Sequence, residues 1–76
     1  MSKVKVYPFF KNPYLISRNM ADNLLKNYSE EVLFDFDRID FVSAAFADEF
    51  IRKVPISRIT NAPENVIAIF KAVSNR

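Results

Sequence analysis

The chain has 76 residues, half of them apolar and 14% aromatic, with a net charge of +2 and no Cys, His or Gly. That length makes one small domain, marginal in size, whose eight Phe enlarge the area it can bury. The missing residue types exclude a disulfide framework, thiolate or imidazole metal ligands, Cys- or His-based catalysis, Gly-rich phosphate loops and the dinucleotide fingerprint.

In chain order, KVKVYPF (residues 3–9) alternates, with Val4 and Val6 on one side and Lys3 and Lys5 on the other, and predicts a half-buried strand. Pro8 cannot donate to a ladder and marks its end or an edge. FKNPY is a turn with Asn12-Pro13 as the breaker. With no Gly, each reversal needs negative φ or an Asn or Asp that tolerates the left-handed region. SRNMADNLLKNY predicts a first helix, capped by Ser17, with Met20, Leu24, Leu25 and Tyr28 as its apolar stripe and Asn27 and Ser29 closing it.

EVLFDF (residues 31–36) predicts the next strand, its run Val32-Leu33-Phe34 suited to cover on both faces. DRID turns the chain. SAAFADEFIRKV predicts a second helix with Ser43 as cap and Phe46, Phe50 and Val54 spaced four apart, widened by Ala47 and Ile51. Asp48 and Glu49 fall about 160–200° and 60–100° from the Phe46/Phe50 line, at about 100° per residue. Asp48 then faces outward and Glu49 sits on the flank, with Arg52 and Lys53 able to reach back one turn. PISRITN is a short third strand. Asn61 or Ala62 caps a last helix with Pro63 in its first turn, Glu64 beside it and Val66, Ile69, Phe70 and Val73 as its stripe.

The expected order is therefore β-α-β-α-β-α: an α/β fold with a small, mostly parallel sheet packed with helices and right-handed crossovers, forming a single domain over residues 1–76. So few strands leave sheet edges that need cover or a partner, and a homodimer through an edge is one way to supply it.

Charge is unevenly spread: residues 1–29 sum to +4, residues 30–49 to −6 and residues 50–76 to +4. An acidic middle between basic ends is not the one-sided footprint of a nucleic-acid binder. No apolar run reaches the ~18 residues that span a bilayer, and the start has no signal-peptide pattern. The expected location is the cytoplasm.

The stretch VLFDFDRIDFVSAAFADEF resembles the STAS-like family of small bacterial domains, related in fold to sulfate-transporter and anti-sigma-factor-antagonist domains. The matching pieces are Phe34-Asp35-Phe36, Phe41-Val42 and Phe46-Ala47-Asp48-Glu49, with Ser17-Arg18 and Ala21 at the first helix and Asn61 and Val66 near the end. The resemblance runs over most of residues 14–74. It implies a regulatory module, often encoded with or fused to an ATPase of the histidine-kinase fold. In the anti-sigma antagonists an Asp-Ser-Ser-Gly segment follows the strand, and a Ser at the helix start is phosphorylated. Here Ser43-Ala44-Ala45-Phe46 occupies that stretch, with Ser43 in place of the Asp, Ala44 in place of the phosphorylated Ser and Phe46 in place of the Gly.

Asp35, Asp37 and Asp40 could gather at the end of a strand, where open α/β sheets bind ligands, and oxygen-only sites suit hard cations. The chain supplies no companion chemistry, so these acids read as turn-forming and solvated, with no catalytic, metal or cofactor role. Ser43 reads as a helix cap, with phosphoacceptor as the alternative. Asp48, Glu49 and Arg52 read as a recognition surface. Arg18, unfavourably placed for the helix dipole, joins it or pairs with Asp48 or Glu49 across the fold. The expected function is a non-enzymatic regulatory module that binds a protein partner, plausibly a histidine-kinase-fold ATPase, through the start and outer face of the second helix. A nucleic-acid-binding or phage-type accessory domain using the basic ends is the alternative, and a small carboxylate- or metal-dependent hydrolase the third.

Overall fold

A computed structural model describes residues 2–28 and 32–75. Three short strands form a parallel sheet in the order β1-β3-β5: β1 (Lys3–Lys5), β3 (Leu33–Asp35) and β5 (Ile59–Thr60). The register aligns Val4 with Phe34 and Phe34 with Ile59. These three side chains share one face, and Phe34 there meets Phe50 with ring centroids 5.2 Å apart. The strand period places Lys3, Lys5, Asp35 and Thr60 on the other face.

Helix α2 (Arg18–Asn27), helix α3 (Ala44–Lys53) and helix α4 (Glu64–Ser74) supply most of the remaining core, with α3 packed against both α2 and α4. Ser17 Oγ accepts from the Met20 N–H at 3.2 Å and Ser43 Oγ from the Phe46 N–H at 3.1 Å, so both expected caps form. Leu24, Phe46, Phe50, Val54, Val66 and Phe70 are fully buried, as their helical spacing requires. The mixed α/β architecture with a parallel sheet is the expected one.

Several local features differ. The expected strand over residues 3–9 stops at Lys5, and Val6–Phe10 forms a one-turn helix, α1. Pro8 is the third residue of that helix, where no backbone donor is needed, so it fits a helix start as well as a strand end. Lys11 closes α1 at φ 54° with its N–H bonded to the Tyr7 carbonyl. Arg38 also has positive φ, at 74°, and Asn61 at 57°. Only Asn61 is of the residue type expected there. The Arg38 guanidinium lies 4.5 Å from the centre of the Tyr7 ring, a contact that helps hold its strained backbone.

Two further strands join the expected three: β2 (Tyr14–Leu15) and β4 (Phe41–Val42), paired parallel to each other as a separate ribbon. Around the expected third strand, Ile56–Arg58 is a single 3₁₀ turn and the strand is β5 alone. The cap of α4 is Pro63, one residue later than expected, because Asn61 takes up the left-handed turn before it. Ser29 and Glu31, at the ends of the expected first helix and second strand, lie outside the described residues.

Candidate functional site

Helix α3 carries the expected recognition residues, and the structure divides them. Arg52 Nη2 lies 3.4 Å from Asp48 Oδ2, one turn away on the same helix, with the Arg52 side chain 66% exposed. Lys53 Nζ lies 3.9 Å from Glu49 Oε2 and 3.8 Å from Asp22 Oδ1, so it ties α3 to α2. Asp22 Oδ1 is buried without a hydrogen bond among the described residues, which fits a contact too long for anything but charge attraction. The Asp48 side chain is 30% exposed and that of Glu49 14%. Asp48 and Arg52 are therefore the outer pair, and Glu49 helps hold Lys53, which reaches from α3 to Asp22 on α2. Arg18 is exposed at the start of α2 and makes no ion pair with Asp48 or Glu49: Lys53 already occupies Glu49, and Arg52 occupies Asp48.

The acids around β3 also divide. Asp35, expected to be solvated, is buried, 4% exposed. Its Oδ2 lies 3.7 Å from Lys3 Nζ, and its Oδ1 accepts from the Asp37 N–H at 2.9 Å. The carboxylate thus serves the edge strand and the turn at once, which supplies the pairing that a buried charge needs. Asp37 and Asp40 are exposed. Among the described residues no group of three or more acids is placed to hold a metal ion.

The start of α3 is more elaborate than a cap. Ser43 Oγ accepts from Phe46 N–H and donates to the Ile16 carbonyl at 2.8 Å, while the Ser43 N–H donates to the Leu15 carbonyl at 2.8 Å. Ser43 therefore joins the N-termini of α2 and α3 across the β2–β4 ribbon, and its hydroxyl is used in both directions. On the ribbon, Leu15 and Val42 point into the core and are fully buried. Their neighbours point outward: Tyr14 is 52% exposed, Ile16 59% and Phe41 43%. Tyr14 and Phe41 are register partners, so the three form one apolar patch directly before Ser17 and Ser43. Neither α2 nor α3 has an acidic residue in its first turn.

The comparisons with known proteins agree with this architecture. A family described as "STAS-like domain of unknown function (DUF4325)" matches residues 18–74. The chain belongs to this family. No curated protein and no solved structure matches the chain. The matched region of this STAS-like domain holds Ser43, Asp48, Glu49 and Arg52, while Tyr14 and Ile16 lie just before it. Sequence patterning does not single out Tyr14, Ile16 and Phe41. The signal available is a Tyr-Leu-Ile run between the Asn12-Pro13 breaker and the Ser17 cap, too short to assign as a strand. Among the described residues no helix is long and apolar enough to cross a membrane.

Proposed function

We propose that this STAS-like domain is a non-enzymatic regulatory module of the cytoplasm. It binds a protein partner, an ATPase of the histidine-kinase fold, through the start and outer face of α3. The observation that carries the reading is the patch of Tyr14, Ile16 and Phe41, left exposed at the start of α3 while the rings on the inner side of that helix are fully buried. Exposed apolar residues gathered at one place, rather than scattered singly, mark interaction sites. The Asp48–Arg52 pair lies further along the same helix and supplies a charged rim that sets specificity and encounter rate. Resemblance to the antagonist domains supports the class of partner.

The experiment is a tagged chain expressed in its native host, cross-linked, and analysed by mass spectrometry. An ATPase of histidine-kinase fold is the expected partner, with crosslinks clustered on α3 and the β2–β4 ribbon. Recovery of nucleic acid with steeply salt-dependent binding would replace this reading by the nucleic-acid one. Crosslinks confined to the sheet face that carries Lys3 and Lys5 would place the interface elsewhere.

A further inference from the structure

The patch at the start of α3 has an open backbone edge as well as apolar side chains. Pro13 and Leu15 direct their carbonyls to β4, where they accept from Phe41 and Ser43 N–H groups at 3.2 and 2.8 Å. Strand alternation turns the Tyr14 backbone groups, and the Ile16 N–H after Leu15, the other way. Asn12 Oδ1 takes the Tyr14 N–H at 2.9 Å, while the Ile16 carbonyl, past the end of β2, turns back to accept from Ser43 Oγ at 2.8 Å. The Ile16 N–H makes no hydrogen bond among the described residues, and the Tyr14 carbonyl lies beside it. One donor and one acceptor, separated as on a strand, are what an added extended segment uses.

Charge selects the segment. Lys11 stands three residues before Tyr14 and Arg18 two residues after Ile16, and both are exposed. The free edge of β2 is thus bracketed by cations, and the N-termini of α2 and α3 add positive field at its end. The nearest acid, Asp40, directly precedes β4, the strand on the far side of β2 from this edge. A second copy of the chain would fit poorly, since residues 11–18 of the mate carry Lys11 and Arg18 and no acid to meet these cations.

We propose that β2 adds an extended segment of the partner whose apolar residues cover Tyr14, Ile16 and Phe41 and whose ends carry Asp or Glu beside Lys11 and Arg18. This rests on the reading of the domain as a binding module and names the chemistry the module recognises. The bracket is basic at both ends, so the acidic flanks are required whichever way the segment runs.

The probe is a phage-displayed library of random peptides, panned against the intact chain, with the enriched sequence then synthesised and titrated by fluorescence anisotropy. Alternating apolar residues with Asp or Glu at the ends are expected. Binding should weaken roughly tenfold or more in Ile16→Asp and in Arg18→Glu, as truncation of a central contact does. Panning Arg18→Glu should enrich Lys or Arg at one end instead. Melting curves establish that the variants are folded. Should Ile16→Asp unfold, Tyr14→Ser gives the same reading. No enrichment, enrichment of basic flanks, or binding indifferent to both substitutions would overturn the proposal. So would sedimentation showing a dimer that Ile16→Asp dissociates, which would make the occupant a second copy. An ATPase that bound through Asp48 and Arg52 with Ile16→Asp neutral would overturn this inference and leave the proposed function standing. An absence of any protein partner would overturn both.

Discussion

On its inner face α3 holds Phe50 against Phe34, Phe36, Phe46 and Phe70, with ring centroids 5.2–5.7 Å apart, and all five rings are fully buried. At its N-terminal end the same helix stands beside Tyr14, Ile16 and Phe41, which are 43–59% exposed. Both regions are apolar, and both are organised by α3. They differ in what surrounds the side chains. The inner cluster is enclosed by the sheet and two neighbouring helices. The outer one lies on a two-stranded ribbon whose other side faces the core. Burial in this domain is therefore decided by the number of layers over a position, not by residue type.

The sharpest way to break that contrast is Phe50→Ala. Removing a ring with four aromatic neighbours should cost ~3–5 kcal/mol, the range for large-to-small changes at enclosed sites. A chain of this length holds roughly 4–11 kcal/mol in total at the usual stability per residue, so the variant should be unfolded or close to it at 37 °C. A thermal melt within a few degrees of the parent would show that the cluster is not the centre of the core.

Next come the two caps, which separate the helix starts from each other. Ser17 accepts one hydrogen bond, whereas Ser43 accepts one and also donates to the Ile16 carbonyl. Ser17→Ala should cost about 0.5–1 kcal/mol and Ser43→Ala about 1–2 kcal/mol, because the second leaves a further backbone group without its partner. Urea titrations of the two variants measure the difference. Equal losses would reduce Ser43 to an ordinary cap and remove the link between α3 and the ribbon.

What could be read from the sequence follows the same physical division. The Ser caps and the Phe46–Phe50 stripe were legible because each depends on spacing within one helix. The central strand and its parallel neighbours were legible as alternating elements. The ribbon was not, since strands of two residues carry no period to detect. Helix α1 was hidden because Lys3–Val6 alternates and Pro8 serves a helix start as readily as a strand end. The burial of Asp35 depends on Lys3, a partner on another strand, and so leaves no local mark. Left-handed Lys11 and Arg38 break the residue preference from which such positions are read. The division of the α3 acids depended likewise on Asp22, one helix away.

That division gives a smaller test. Glu49→Gln removes one arm of the Lys53 clamp between α2 and α3, and Asp48→Asn removes only an exposed pair within α3. Both losses should stay within about 1 kcal/mol, with the Glu49 variant the less stable of the two. Partner association at low salt should slow in Asp48→Asn and hardly change in Glu49→Gln, because exposed rim charges act through encounter. Stopped-flow association and melts on both single variants decide it. If Glu49→Gln slowed association as much, Glu49 would belong to the contact surface and its clamp would be incidental.

The smallest expected effect on stability is the most informative for function. Ile16 is 59% exposed, and the group through which it supports the fold is its backbone carbonyl, which any residue retains for Ser43. Ile16→Ser should therefore change stability by no more than about 0.5 kcal/mol, the usual limit for a surface position away from caps and buried pairs. Phe50 and Ile16 then mark the two ends of a scale: one apolar side chain whose loss unfolds the domain, and one whose loss the fold does not register. An exposed apolar side chain that adds nothing to stability and stands beside two others belongs to the kind of patch that marks interaction sites. Chemical denaturation measures the first half of this statement. A loss above about 1 kcal/mol would mean that Ile16 is packed in solution and that the ribbon is an extension of the core, beyond the range of an ordinary surface change. A neutral result places the whole patch outside the stabilising core and makes Ile16→Ser the cleanest variant with which to separate partner binding from folding.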